Sequence, residues 1–251
     1  FIEKKNFDKE FFFEMEVGFS KDLSLFQLND HPKPELMFNE KYPFFTGSSE
    51  YMKEHFRKFS EYLKNNYLGS NSKLIEIGSN DGTLLKNFID QKDNILGFEP
   101  SKNVADLAKA DGVPTTNEFF NSENASKYKN FLGQTDAIFA SNCICHIPDL
   151  NNLIKGIDLL LSKNGTFIFE EPYLGSMFEK TSYDQIYDEH IYMFSATSVK
   201  KIFNLFGFEL INVLPQKTHG GSMRYILKRK NIEKKSKKLL KLLKSERIKK
   251  I

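Results

Sequence analysis

The chain has 251 residues, 40% of them hydrophobic and 27% charged, with a formal net charge of +3. That balance excludes a fibrous or disordered polypeptide and leaves enough chain to bury a real core. The basic excess gathers after Arg224, so no nucleic-acid partner is expected. No apolar run approaches a membrane span, so no membrane partner is expected either. The two cysteines, Cys143 and Cys145, are one residue apart, too close for an ordinary disulfide framework, and point to a reducing, cytoplasmic setting. The first residue is Phe and no signal-peptide pattern follows, as in a processed or trimmed chain.

In chain order, residues 1–71 read as an N-terminal extension without a repeat. Its latter part, Ser48 to Leu68, spaces Met52, His55, Phe56, Phe59, Tyr62 and Leu63 by three and four, which predicts an amphipathic helix packed on the next region. Residues 72–230 then alternate short apolar runs with helical ones. Strands are predicted at Leu74–Ile77, Ile95–Phe98, Asp136–Ala140 and Gly165–Phe169, and helices at Thr83–Asp90, Asn103–Ala110 and Leu150–Leu161. The order predicts an α/β fold with a mostly parallel sheet and helices on both faces. A helix at Thr197–Phe206 precedes two late strands, Phe208–Leu214 and Met223–Lys228, an edge hairpin similar to that of class I, Rossmann-like methyltransferases. Residues 231–251 carry Leu239, Leu240, Leu242 and Leu243 among many lysines, a basic helical stretch.

The first chemical motif runs from Leu74 to Leu85: an apolar strand, a turn of small residues and a helix start. A dinucleotide fold would show G-x-G-x-x-G here, and that spacing is absent. The run Glu76-Ile77-Gly78-Ser79-Asn80-Asp81-Gly82 instead resembles the E-x-G-x-x-x-G loop of S-adenosylmethionine enzymes, with Asn80 where a glycine is usual. Asn is the non-glycine residue that best tolerates a left-handed backbone. Glu99 ends the next strand, in Gly97-Phe98-Glu99-Pro100, where an acid can accept both ribose hydroxyls. With Asn142 at the end of the following strand, three strand ends converge on one crevice. S-adenosylmethionine is therefore the expected cofactor, held by Glu76, Gly78, Ser79, Asn80, Asp81, Gly82, Glu99, Pro100 and Asn142.

A second constellation comprises Cys145-His146-Ile147-Pro148, Glu170 to Gly175, Tyr183 to His190, Phe194 to Val199 and His219 to Arg224. With Pro34 to Phe38 and Tyr42-Pro43, these runs resemble the sugar C-methyltransferases acting on nucleotide-linked 4-keto deoxysugars, from about Phe12 to Asn231. The resemblance implies methylation of a carbon beside a ketone, a nucleotide-sugar substrate and deoxysugar biosynthesis. Such a carbon must first lose a proton, which needs a base titrating near neutrality. His190 is the leading candidate, with Glu189 beside it to orient a ring or contact substrate. Tyr187 and His146 are candidates for stabilising the enolate or relaying the proton, and which of the three is the base is left open. Substrate contacts are expected from Tyr42, Tyr173, His219 and Arg224.

Other readings compete at each position. A lone histidine is more often structural than catalytic, and His31 and His55 are read that way. Glu170 and Glu171 are consecutive on a strand and face opposite ways, so one is expected to line the pocket. Cys143 and Cys145 are read as packing residues. The family carries an N-terminal zinc module with two Cys-x-x-Cys pairs; here Ser20 and Leu23 stand at two of the cysteine positions, so no metal is expected. The family continues into a C-terminal domain, making residues 231–251 a solvated linker towards one absent from this chain. An O- or N-methyltransferase, a non-catalytic cofactor binder and, more distantly, a dehydrogenase are the alternatives.

Overall fold

The computed structural model describes residues 4–9, 12 and 14–251. The remaining residues of the expected extension, 1–3, 10, 11 and 13, lie outside them. The extension is more than a helix. After a 3₁₀ helix at Lys4–Lys9 come the antiparallel hairpin β1 (Val17–Ser20) and β2 (Leu25–Leu28), the short helix α1 (Pro34–Met37) and the long helix α2 (Glu50–Asn66). Ser49 caps α2 by accepting from the Met52 amide, and the helix buries Phe56, Phe59 and Leu63, the face its spacing predicts.

The core then runs β3 (Leu74–Ile77), β4 (Ile95–Phe98), α3 (Lys102–Ala110), β5 (Thr115–Thr116), α4 (Ser122–Ser126), β6 (Thr135–Ser141), α5 (Leu150–Leu160) and β7 (Leu161–Pro172). It ends with α6 (Leu174–Lys180), β8 (Tyr192–Met193), α7 (Ala196–Leu205), β9 (Phe208–Gln216), β10 (Ser222–Arg229) and α8 (Lys237–Lys249). Seven strands form one sheet in the order β5-β4-β3-β6-β7-β10-β9, parallel except for β10, which is antiparallel to both neighbours. This is the predicted class I arrangement with its edge hairpin. β8 pairs with β2, so the N-terminal hairpin grips the chain just after His190.

The two faces of the sheet follow from strand alternation. Ile75, Ile77, Ile138, Phe167, Phe169 and Tyr225 pack with α5 and α7, while Leu74, Phe139, Ile168 and Ile226 pack under α2. The order reverses between β3 and β6, and the crevice beyond their carboxyl ends is where an open α/β sheet binds ligand.

Two expectations need correction. The helix predicted at Thr83–Asp90 is a 3₁₀ helix over Leu85–Asn94, kinked at Gln91. The Asn87 side-chain amide donates to the Thr83 and Leu84 carbonyls, taking acceptors that a regular helix would use. The tail is not a solvated linker either. Leu239 and Glu246, seven residues apart on one face of α8, are both buried. Glu246 accepts hydrogen bonds from the Ala196 and Thr197 amides at 2.8 Å, capping the start of α7, and from the Tyr173 hydroxyl at 2.9 Å. No helix among the described residues is long and apolar enough to cross a membrane.

Candidate cofactor and acceptor site

A cleft of about 830 Å³ opens at the reversal of strand order. At one end, the loop after β3 turns through three left-handed residues, Gly78 at φ 68°, Asn80 at φ 49° and Gly82 at φ 74°. Asn80 thus adopts the conformation expected of the glycine it replaces. Gly78 has no room for a side chain, because a Cβ there would come within 2.7 Å of the Cys143 Cβ. The Glu99 carboxylate accepts from the Asn80 amide at 3.0 Å and the Ser101 amide at 2.7 Å, and its burial raises its pKa. The two amides fix the carboxylate at the cleft wall.

Of the nine expected cofactor residues, Gly78, Asn80, Glu99, Pro100 and Asn142 line the cleft. The other four support it from behind. Glu76 is buried with its Oε2 unpartnered among the described residues, and burial, with Asp81 and Glu99 nearby, holds its pKa well above the usual carboxylate range. Ser79 packs against Gly97, Gly82 against Val113, and Asp81 accepts from the Gly47 amide at 2.7 Å. Ser141 and Asn142 line the cleft, and their side-chain oxygens are buried without a hydrogen-bond partner among the described residues, as groups that await a polar ligand would be.

At the other end, His190, Tyr187, Glu189 and His146 meet Tyr42 and His219, all lining the cleft. His190 Nδ1 lies 2.8 Å from the Gln185 carbonyl oxygen, which can only accept, so the ring proton sits on Nδ1. Nε2 is then the basic nitrogen, and the Tyr187 hydroxyl donates to it at 2.9 Å. Burial, helped by His146, pushes the His190 pKa down to about 4, below the near-neutral range expected of it, so the ring is neutral. His146 is placed by two carbonyls, with Nδ1 2.6 Å from Glu189 O and Nε2 3.0 Å from Asn142 O; burial lowers its pKa against the pull of those acceptors. Its ring centroid lies 5.2 Å from that of His190. Burial and the Glu189 carboxylate raise the pKa of both Tyr42 and Tyr187, keeping the phenols protonated. Cys145, His146 and His190 have ligand atoms within 4.8 Å of one another, but every imidazole nitrogen already has a hydrogen-bond partner.

Tyr173 and Arg224 do not line the cleft. Tyr173 gives its hydroxyl to Glu246, and Arg224 pairs with Glu170 beneath the Phe59 ring, with the guanidinium 3.7 Å from the ring centroid. Neither Glu170 nor Glu171 lines it, contrary to expectation. Glu170 lies between Arg224 and His55, whose Nε2 is 2.7 Å away, so His55 has the structural role expected of it. Glu171 Oε1 accepts from three successive amides, Cys143 at 3.1 Å, Ile144 at 2.7 Å and Cys145 at 3.3 Å, tying down the turn that carries Asn142 and His146. Burial drives its pKa up to about 7. Phe38, edge-on to His146 with ring centroids 5.5 Å apart, and Phe119, Phe120 and Asn121 also line the cleft. None of these was singled out as a site residue. Phe38 stood within a family run, while the other three follow a two-residue strand too short to signal itself.

Comparisons with known proteins agree with the architecture. Residues 48–213 match the methyltransferase domain family. The C-methyltransferase NovU of Streptomyces niveus is 27% identical over 215 residues, covering 85% of this chain and 51% of NovU. The chain thus spans about half the length of that curated relative. Among solved structures, a SAM-dependent methyltransferase from Anabaena variabilis superposes with a TM-score of 0.53 at 17% identity, covering 69% of this chain and 84% of that one. The 1,6-didemethyltoxoflavin-N1-methyltransferase of Burkholderia thailandensis, crystallised with S-adenosylhomocysteine, gives a TM-score of 0.53 at 14% identity, covering 73% and 82%. These two likenesses are of fold. The match over 48–213, on a class I sheet whose strand ends form the cleft, establishes that the chain belongs to the methyltransferase domain family, whose cofactor is S-adenosylmethionine.

Proposed function

We propose that the chain is a C-methyltransferase acting on a carbon α to the ketone of a nucleotide-linked 4-keto deoxysugar. One observation carries the reading: in the same cleft as the cofactor loop stands a neutral imidazole, His190, its tautomer set by Gln185 and its basic Nε2 held by a phenol that also lines the cleft. Carbon acids need such a base, whereas an already nucleophilic oxygen or nitrogen needs one less. The likeness to NovU supports methylation at carbon.

Glu99 and the loop around Gly78 and Asn80 hold the cofactor, which supplies a sulfonium methyl group when bound. Tyr42, Glu189 and His219 wall the acceptor. The α-proton passes to His190 Nε2 by way of the Tyr187 hydroxyl, and the Nδ1–H bond to Gln185 steadies the imidazolium that forms. His146, its two ring nitrogens held by the Glu189 and Asn142 carbonyls, lies alongside His190 and helps wall the acceptor.

The test is incubation with methyl-labelled S-adenosylmethionine and a panel of 4-keto nucleotide sugars, reading the product by NMR. A new carbon-bound methyl is expected. A methoxy or N-methyl signal would overturn the assignment, and cofactor binding without exchange of the acceptor α-proton would mark a non-catalytic binder.

A further inference from the structure

Asn80 stands in the cofactor loop, yet its side chain is spent elsewhere. Asn80 Oδ1 accepts from the Thr46 amide at 2.8 Å and its Nδ2 donates to the Phe44 carbonyl at 3.2 Å. Next to it, Asp81 Oδ2 accepts from the Gly47 amide at 2.7 Å. Gly47 is seated so closely that a Cβ there would come within 2.8 Å of that oxygen. Two residues further back, Asn103 donates to the Tyr42 carbonyl at 2.8 Å. Tyr42, Pro43, Phe44 and Thr46 all line the cleft. Four hydrogen bonds therefore fasten one wall of the cleft to the cofactor-binding core, three of them through side chains of the loop itself. Glycine at position 80 would allow the same backbone but would remove two of the four.

We propose that Asn80 and Asp81 are positioning residues for the acceptor wall, seating the Tyr42–Gly47 segment on the cofactor loop, and that their side chains do not hold the cofactor. Asn80 still meets the cofactor site through its backbone, whose amide anchors Glu99. The side-chain amide accepts from Thr46 through its oxygen and donates to Phe44 through its nitrogen, which accounts for an asparagine where a glycine is usual. The consequence is a split of roles within five residues of chain: backbone towards cofactor, side chains towards the wall that meets the acceptor.

The test compares Asn80→Gly and Asn80→Asp with the parent chain. Hydrogen exchange at the Thr46 amide should quicken roughly tenfold in Asn80→Gly, the loss of about one hydrogen bond, while amides of β3 and β6 exchange as before. Asn80→Asp keeps the acceptor and loses the donor, so its exchange should fall between the two. S-adenosylhomocysteine affinity by calorimetry should stay within about threefold in both, because the loop backbone is retained. The kinetic arm rests on the acceptor reading above: KM for the acceptor should rise roughly tenfold in Asn80→Gly with a smaller change in KM for the cofactor. Unchanged exchange at Thr46, or a tenfold loss of S-adenosylhomocysteine affinity with unchanged acceptor KM, would overturn the proposal. If no acceptor is turned over by the parent chain, the C-methylation reading fails, and exchange and calorimetry still decide this one.

Discussion

At the cofactor end of the cleft, the groups that matter are turns at the ends of β3, β4 and β6, set by the sheet and by three left-handed residues within one loop. At the acceptor end, side chains from four separate stretches, Tyr42, His146, Tyr187 to His190 and His219, converge, with both histidines of the central pair oriented by backbone carbonyls. The first end is specified by a few consecutive residues and a strand pattern. The second depends on loops meeting in space. The loop at the first is shaped by backbone conformation, which Asn80 meets in place of a glycine; at the second, one lost hydrogen bond changes a tautomer or a ring orientation.

The sharpest break between the two ends should come from His190→Ala. Removing the base of a carbon-acid reaction costs about 10²–10⁴-fold in rate, and methyl transfer should fall within or beyond that range. Cofactor affinity should be unmoved, since His190 contacts neither Glu99 nor the loop. In the parent chain the pH–rate profile should show no imidazole step near the ordinary value of about 6.5; the acid limb should lie near the perturbed value, about 4. Full transfer by the variant would remove His190 as the base, and an acid limb at ordinary imidazole pH would contradict its burial.

Glu171 joins the two ends. Its carboxylate holds the amides of Cys143 to Cys145; Cys143 closes against Gly78 on the cofactor side, and the Cys145 carbonyl accepts from the Ile191 amide on the acceptor side. Its folded pKa of about 7 lies above the usual value of 4.5, so the folded state holds the proton more tightly than the unfolded one. That contribution is fully present below about pH 4.5 and is lost as pH rises through about 7, a change of about 3 kcal/mol. Glu171→Gln cannot ionise and keeps an acceptor oxygen. Between about pH 4 and pH 8 the stability difference should therefore move in favour of the variant by about that amount, measured by denaturant unfolding. A difference that does not vary with pH would show that burial does not govern this carboxyl.

The same contrast decides what the sequence revealed. Short apolar runs placed all but β5 of the seven-stranded sheet, because strands buried on both faces read as continuous apolar stretches, and the spacing from Met52 to Leu63 placed α2, because burial on one face leaves a period. The two-residue strands β5 and β8 carry no period, and β1 and β2 pair in an extension with no repeat. The cofactor loop was legible because left-handed turns demand particular residues. The acceptor end could be named only through a family likeness, which carried Tyr173 and Arg224 with it; nothing in their spacing says that one bonds Glu246 and the other Glu170. Likewise, the leucines of α8 were visible among its lysines, but nothing in the sequence marked Glu246 as the buried group that caps α7.

The smallest expected effect tests whether the two ends act separately. Glu99→Gln keeps an oxygen for one of the two amides that now bind the carboxylate, but it removes the anionic acceptor that the proposed cofactor site would offer to two ribose hydroxyls. A hydrogen bond to a charged group contributes about 1.5–3 kcal/mol, and glutamine recovers part of it, so cofactor affinity should weaken by roughly tenfold. At saturating cofactor, exchange of the acceptor α-proton should proceed at the parent rate, because the Tyr187–His190 pair and its Gln185 anchor do not touch Glu99. KM for the cofactor would then rise with kcat unchanged, the signature of lost uniform binding. If kcat fell in parallel, the ends would be coupled, and the Asn80 amide is the route by which that coupling would run: it binds Glu99 through its backbone and the acceptor wall through its side chain.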